Sequence, residues 1–332
     1  MLAFILLLNL QLGAGSRWLQ RPRKGKPNAP GARAACSFAT LCAATPRRGH
    51  FAIRRTHDIE FQGTERYYLD PELGAIVNMA IAMEKPLLLT GEAGTGKTQL
   101  AFEISRSLGL PIEVLRCKST IKGEEACYVQ DTVLRLNDAR FGTSGTGRDV
   151  NSFFDYVIWG PIGRAFRSDE RVVLLLDEID KTESDVQDNL LDVLEDCQFT
   201  IREVNQTVSA RKRPFILITS NAKRELSDPF LRRCYCHHIA FPTPSQMREI
   251  VDLHFPDLEK GLLDAALGIF YELRQKGFEK PPATSELLNW LGALKHARVT
   301  PERLNVPFVG TLLKRTEDIL AWRGGSKKLK VN

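Results

Sequence analysis

Three short apolar runs set the pattern of the chain: Pro86-Leu87-Leu88-Leu89-Thr90, Val172-Val173-Leu174-Leu175-Leu176 and Phe215-Ile216-Leu217-Ile218-Thr219. Their hydrophobicity is continuous rather than alternating. Over so few residues, that predicts parallel strands covered on both faces. Helical spacings lie between them. Leu100, Ala101, Ile104 and Leu108 follow the first run, and Val186, Leu190, Val193, Leu194 and Cys197 follow the second. Thr182-x-x-Asp185 opens the latter helix as a start signal. Phe199-Thr200-Ile201 alternates, so Gln198 to Arg211 reads as a small hairpin before the third run. Strands and helices in this alternation predict an α/β layered sheet.

Beyond Phe241-Pro242 the pattern becomes wholly helical. Thr243-Pro244 is a helix start with proline in the first turn. Leu258, Leu262, Ala266, Ile269, Phe270 and Leu273 keep one helical stripe, and Leu287, Leu291 and Leu294 keep another. A last helix is predicted from about Val309 to Ala321. Residues 116–150 are polar and uneven, and Phe141 to Gly147 reads as a mobile loop on a face where a partner could be read. On this reading the chain divides into a tail (1–57), a nucleotide-binding αβα domain (58–240) and a helical lid (241–332).

The ends of the three strands carry the chemistry. The first runs into Gly91-Glu92-Ala93-Gly94-Thr95-Gly96-Lys97-Thr98, a complete G-x-x-x-x-G-K-T between a strand and a helix. The glycines let backbone N–H groups turn toward phosphate oxygens, Lys97 reaches the β- and γ-phosphates, and the Thr98 hydroxyl ligates Mg²⁺. The second strand ends in Asp177-Glu178. Asp177 is placed to hold Mg²⁺, and Glu178 to polarise an attacking water. Asn221, just past the third strand, is the candidate for sensing the γ-phosphate. Asn is also a common turn former, so this position alone is weak. Arg232-Arg233 follows it, placed as an arginine finger would be. The cofactors implied are ATP and Mg²⁺.

Composition adds two corrections. The chain has 332 residues, 43% hydrophobic and 26% charged, as a globular protein does. Its net charge of +6 is misleading: residues 1–57 hold ten of the 46 basic residues and none of the 40 acidic ones, leaving a net of −4 for the rest. A nucleic-acid partner is therefore not expected from the basic balance. The apolar run Leu2 to Leu8 is too short for a membrane span, which needs about 20 residues. The tail reads first as an upstream start and second as a targeting peptide, and is expected to be disordered. A cytoplasmic location is expected, with organelle targeting as the alternative. The cysteines number 7, and their spacings form no framework, as in a reducing compartment. Cys234-Tyr235-Cys236-His237-His238 reads as ordinary strand packing rather than a metal site.

The order of phosphate loop, Asp-Glu strand, Asn-tipped strand and Arg-Arg loop resembles the AAA+ ATPases. The approach Leu73 to Glu92, the segment Gly160-Pro161-Ile162-Gly163-Arg164-Ala165-Phe166 and the segment Leu194 to Ile201 resemble the MoxR-type branch, and the likeness covers residues 58–332. The resemblance implies a five-stranded parallel sheet of order 5-1-4-3-2, a helical lid, and ring oligomers, usually hexamers. It also implies chaperone-like remodelling or metal-cofactor insertion, often with a von Willebrand factor A-domain partner. By position it makes Lys97 and Thr98 the Walker A pair, Asp177 and Glu178 the Walker B pair, Asn221 sensor 1 and Arg233 the finger. Two departures stand out. Ala93 replaces the usual loop proline, and Glu286 stands where a lid arginine is expected, so no sensor-2 residue is assigned.

The expectation is thus a ring-forming ATPase that remodels a partner protein. Rival readings are a nucleic-acid motor, a small-molecule kinase sharing the phosphate loop, and an ATP-gated scaffold that barely hydrolyses.

Overall fold

The computed structural model describes residues 60–325 except positions 144, 223 and 305. The apolar run Leu2 to Leu8, the basic tail as far as residue 57 and the basic end Ser326 to Lys330 lie outside the described residues. Among the described residues no helix is long and apolar enough to cross a membrane.

The chain enters through helix α1 (Pro71–Met83), whose start is fixed by Pro71 and by Asp70, which accepts from the Glu72 backbone N–H at 3.0 Å. Strand β1 (Leu87–Gly91), helix α2 (Lys97–Leu108) and strand β2 (Ile112–Arg116) follow. A small subassembly comes next: α3 (Gly123–Cys127), β3 (Tyr128–Gln130), α4 (Thr132–Phe141) and β4 (Val157–Trp159), with β3 and β4 antiparallel. Then come α5 (Pro161–Arg167), β5 (Val173–Asp177) and α6 (Ser184–Asp196). The expected hairpin is β6 (Gln198–Ile201) against β7 (Gln206–Ser209). Strand β8 (Phe215–Ser220), short helix α7 (Asp228–Arg233) and strand β9 (Tyr235–Ile239) complete the core.

Five of these strands form one parallel sheet in the order β2-β5-β8-β1-β9. Numbered within the sheet alone, that is the implied order 5-1-4-3-2. The continuous apolar runs are explained by the two faces. Leu87, Leu89, Val173, Leu175, Phe215 and Leu217 pack against α1 and α2. Leu88, Leu174, Leu176, Ile216 and Ile218 pack on the other face with residues of α5 and α6. Every residue of β8 is buried, so alternation has no polar face to report.

A third apolar cluster joins helices α8 (Pro244–His254), α9 (Lys260–Gln275) and α10 (Thr284–His296) around Trp290 and Phe270. Thr243 caps α8 with a reciprocal Gln246 contact. The last helix departs from expectation. Val309–Thr311 is only a short 3-10 turn, and α11 spans Thr316–Gly325. Between them, Leu312 and Leu313 are both buried in the lid core.

Residues 116–150 hold more structure than their polarity suggests. Helix α4 is inverted: its one buried residue is Asp138, which accepts from Arg148 at 2.8 Å and from the Tyr156 hydroxyl at 3.1 Å. Val133, Leu136 and Phe141 project outward. Periodicity of apolar residues cannot reveal a helix anchored through a carboxylate.

Candidate functional site

The C-terminal ends of β1, β5 and β8 lie side by side in the middle of the sheet, so all three sequence-predicted chemical segments converge on one edge. Between β1 and α2 the loop Gly91–Thr98 turns back on itself. Gly91 has φ +146°, and a Cβ there would stand 2.4 Å from the Ile239 carbonyl oxygen. Only glycine allows β9 to pass this close.

Lys97, the first residue of α2, is 5% exposed. Its Nζ donates to the carbonyl oxygens of Gly91 at 2.9 Å and Glu92 at 2.7 Å, so the ammonium sits inside the loop. Burial lowers its pKa below the ordinary lysine value, opposed by the negative charges of Asp180, Asp177, Glu178 and Glu92. Thr98, one residue on, donates its hydroxyl to Asp177 Oδ1 at 2.7 Å. The two residues predicted to share a metal ion are thus in contact.

Asp177 Oδ1 also accepts from the Thr219 hydroxyl at 2.8 Å, and Thr219 Oγ1 accepts from the Glu178 backbone N–H at 2.9 Å. Thr219 therefore locks the Asp-Glu pair to β8. Glu178 itself is in the left-handed region, with φ 59° and ψ 53°. A non-glycine residue held there costs of order 1–3 kcal/mol, and such residues gather where geometry matters for function. Its Oε1 accepts from the Asn221 side-chain amide at 2.9 Å, and its Oε2 pairs with Lys181. The Asn221 backbone N–H donates to Asp180 Oδ1 at 3.1 Å.

The structure thus brings together Lys97, Thr98, Asp177, Glu178 and Asn221. It does not bring Arg233 to them. Arg233 lies in the last turn of α7, where it pairs with Asp192 and Glu195 of α6, each at 2.9 Å. Neighbouring Arg232 is exposed. Sequence reasoning missed Thr219, Asp180 and Lys181. Thr219 read as the polar end of an apolar run, and nothing in its type or spacing distinguishes it from a turn residue.

The residues present fit a Mg–nucleotide. The loop has a buried cation inside it and glycines at positive φ, and Asp177 with Thr98 offers the hard oxygen donors that Mg²⁺ takes. Sheet, loop and acidic strand end together define a P-loop nucleotide-binding protein.

Within that class, residues 86–234 match the family model of the AAA domain (dynein-related subfamily). The nucleotide-binding core has the P-loop fold of AAA+ domains. A comparison with curated proteins gave no match. Among solved structures the chain is similar to the RuvB Holliday junction branch migration motor of Thermotoga maritima. That likeness has 16% identity and a TM-score of 0.45, over 82% of this chain and 74% of that one. It is also similar to NtrX from Brucella abortus in complex with ATP, at 16% identity and a TM-score of 0.45, over 80% of this chain and 62% of that one.

Proposed function

We propose that the chain is a Mg²⁺-dependent ATPase of MoxR type that works as a ring, usually a hexamer, and couples ATP hydrolysis to remodelling of a partner protein. The observation that carries the chemical part is the unbroken hydrogen-bonded path Thr98–Asp177–Thr219–Glu178–Asn221 beside Lys97.

ATP and Mg²⁺ supply the reacting phosphoryl group and the neutralising charge. The chain supplies placement. Backbone N–H groups of the loop would cradle the phosphates, Lys97 would exchange its loop carbonyls for phosphate oxygens, and Thr98 and Asp177 would hold the metal. Glu178 orients and polarises the attacking water and receives its proton. Asn221 aims the Glu178 carboxylate. Arg233 is the residue proposed to act across a subunit boundary on a neighbour's phosphates. The outward apolar residues of α4 and the glycine loop after it supply the face for a partner, for which a von Willebrand factor A-domain protein is the candidate.

The test is steady-state ATPase activity against protein concentration for the unmodified chain, Glu178→Gln and Arg233→Ala. A rate per subunit that rises with concentration, falls in both variants and recovers on mixing them supports a shared site in a ring. A flat rate that ignores Arg233→Ala would replace the ring by a self-contained nucleotide site.

A further inference from the structure

One lid side chain carries a charged link to the phosphate loop. Arg274 lies in the last turn of α9, and its guanidinium touches three separate segments. One Nη donates to a Glu92 carboxyl oxygen at 2.8 Å, inside the Gly91–Thr98 loop. The other donates to the Pro282 carbonyl at 2.6 Å, just before α10. The guanidinium carbon lies 3.4 Å from the centre of the Phe241 ring, in the segment that joins β9 to α8. The side chain is only 14% exposed. A cation this shielded is poorly served by water if its partner leaves, so the pair is not an ordinary surface ion pair.

Two further contacts bind the same elements. Tyr271, one turn earlier on α9, donates its hydroxyl to the Pro242 carbonyl at 2.8 Å. The start of α10 rests on the loop: a Cβ at Gly94, which has φ +79°, would stand 2.7 Å from the Ala283 Cβ and 3.2 Å from the Ser285 hydroxyl. Lid and loop are therefore in direct steric contact, with Arg274 as the charged link.

Glu92 faces both ways. Its side chain holds Arg274, and its backbone carbonyl accepts from Lys97 Nζ at 2.7 Å. A ligand that draws Lys97 off that carbonyl acts on the same residue that anchors the lid.

Resting on the ATP reading above, we propose that Arg274 is a positioning residue for nucleotide turnover. Its pair with Glu92 latches the lid to the phosphate loop, and nucleotide release requires that latch to open. Arginine is needed because the link uses two donors in a fixed fork and a planar face over Phe241, which a lysine ammonium cannot reproduce.

The experiment measures release of fluorescent mant-ADP from the full chain by stopped flow, alongside steady-state ATPase. It compares the unmodified protein, Glu92→Gln, Arg274→Gln and the double variant. Each single variant is expected to speed release about tenfold, the scale of one lost charge-assisted contact. The double variant is expected to be no faster than the faster single. Glu92→Gln is expected to fold with only a small fall in melting temperature, because Glu92 is half exposed and the glutamine side chain still reaches Arg274. That variant keeps Arg274 and its stack, so it carries the test if Arg274→Gln does not fold. Unchanged release in Glu92→Gln, or additive effects in the double variant, would overturn the latch while leaving ATP binding intact. An unmodified chain that does not bind mant-ADP would overturn the ATP reading and the latch with it.

Discussion

The Asn221 side-chain amide donates to Glu178 Oε1 at 2.9 Å, while Lys181 holds the other carboxyl oxygen. In the role proposed for Glu178, a carboxylate that polarises one water molecule needs its direction fixed before the reaction, and these two contacts fix it. Asn221→Ala is expected to lower kcat about a hundredfold with little change in KM for ATP, the pattern of a group acting in the transition state. Steady-state ATPase measurements check this. A large rise in KM at unchanged kcat would make Asn221 a binding residue instead.

Thr219 couples β8 to the end of β5. Its hydroxyl donates to Asp177 and accepts from the Glu178 N–H. Thr219→Val keeps the shape of this buried side chain but leaves a backbone donor unsatisfied and removes a partner from Asp177. A loss of roughly 1–3 kcal/mol in unfolding free energy is expected. ATPase activity is expected to fall more than Thr219→Ser does. Urea titration and steady-state rates measure the two effects. A Thr219→Val chain as active as Thr219→Ser would remove Thr219 from the site.

The central strands were legible because burial on both faces leaves an unmixed apolar run, and their tips were legible because a phosphate loop and an Asp-Glu pair have few other uses. Residues such as Thr219 and Arg274 act through partners distant in sequence: Arg274 is 182 positions from Glu92. Such partners leave no local spacing to read. The helical pattern placed α9 and α10 but gave no sign that the far end of α9 carries a lid arginine to the loop. Helix α4 was missed for the opposite reason, since its anchor is polar and its apolar residues face outward.

Cys117 sits beside the acidic strand end, its backbone N–H bonded to the Asp177 carbonyl at 2.9 Å. Burial pushes its thiol up to about 12, helped by the negative charges of Asp177, Asp180 and Glu178. The thiolate is the reactive form, so Cys117 is expected to resist iodoacetamide at pH 8 in the folded chain and to react in urea. The sign for stability follows. The raised folded value makes the contribution of this thiol complete below its ordinary 9.0 and lost progressively as pH rises toward about 12. Melting temperature is therefore expected to fall less steeply above pH 9 in Cys117→Ala than in the unmodified chain. Parallel slopes would show that Cys117 ionises as freely in the fold as out of it.

Arg233 is held within its own chain by Asp192 and Glu195, both substantially exposed. Exposed pairs of this kind are worth about 0.2–1 kcal/mol each. An arginine that reaches a reacting phosphate accelerates transfer by roughly 10³ to 10⁵-fold, several kcal/mol of transition-state stabilisation, which exceeds what the two pairs are worth, so giving them up as the phosphoryl group transfers is favourable. Asp192→Asn with Glu195→Gln is therefore expected to free Arg233 and to bring the concentration-dependent rise in rate per subunit to lower protein concentration, while Arg233→Ala removes that rise. Arg232→Ala is the informative comparison, because Arg232 is exposed one residue away. If Arg232→Ala abolishes the concentration-dependent rate and Arg233→Ala spares it, the residue acting across the boundary is Arg232, and the pairs of Arg233 serve only to fix α7 against α6.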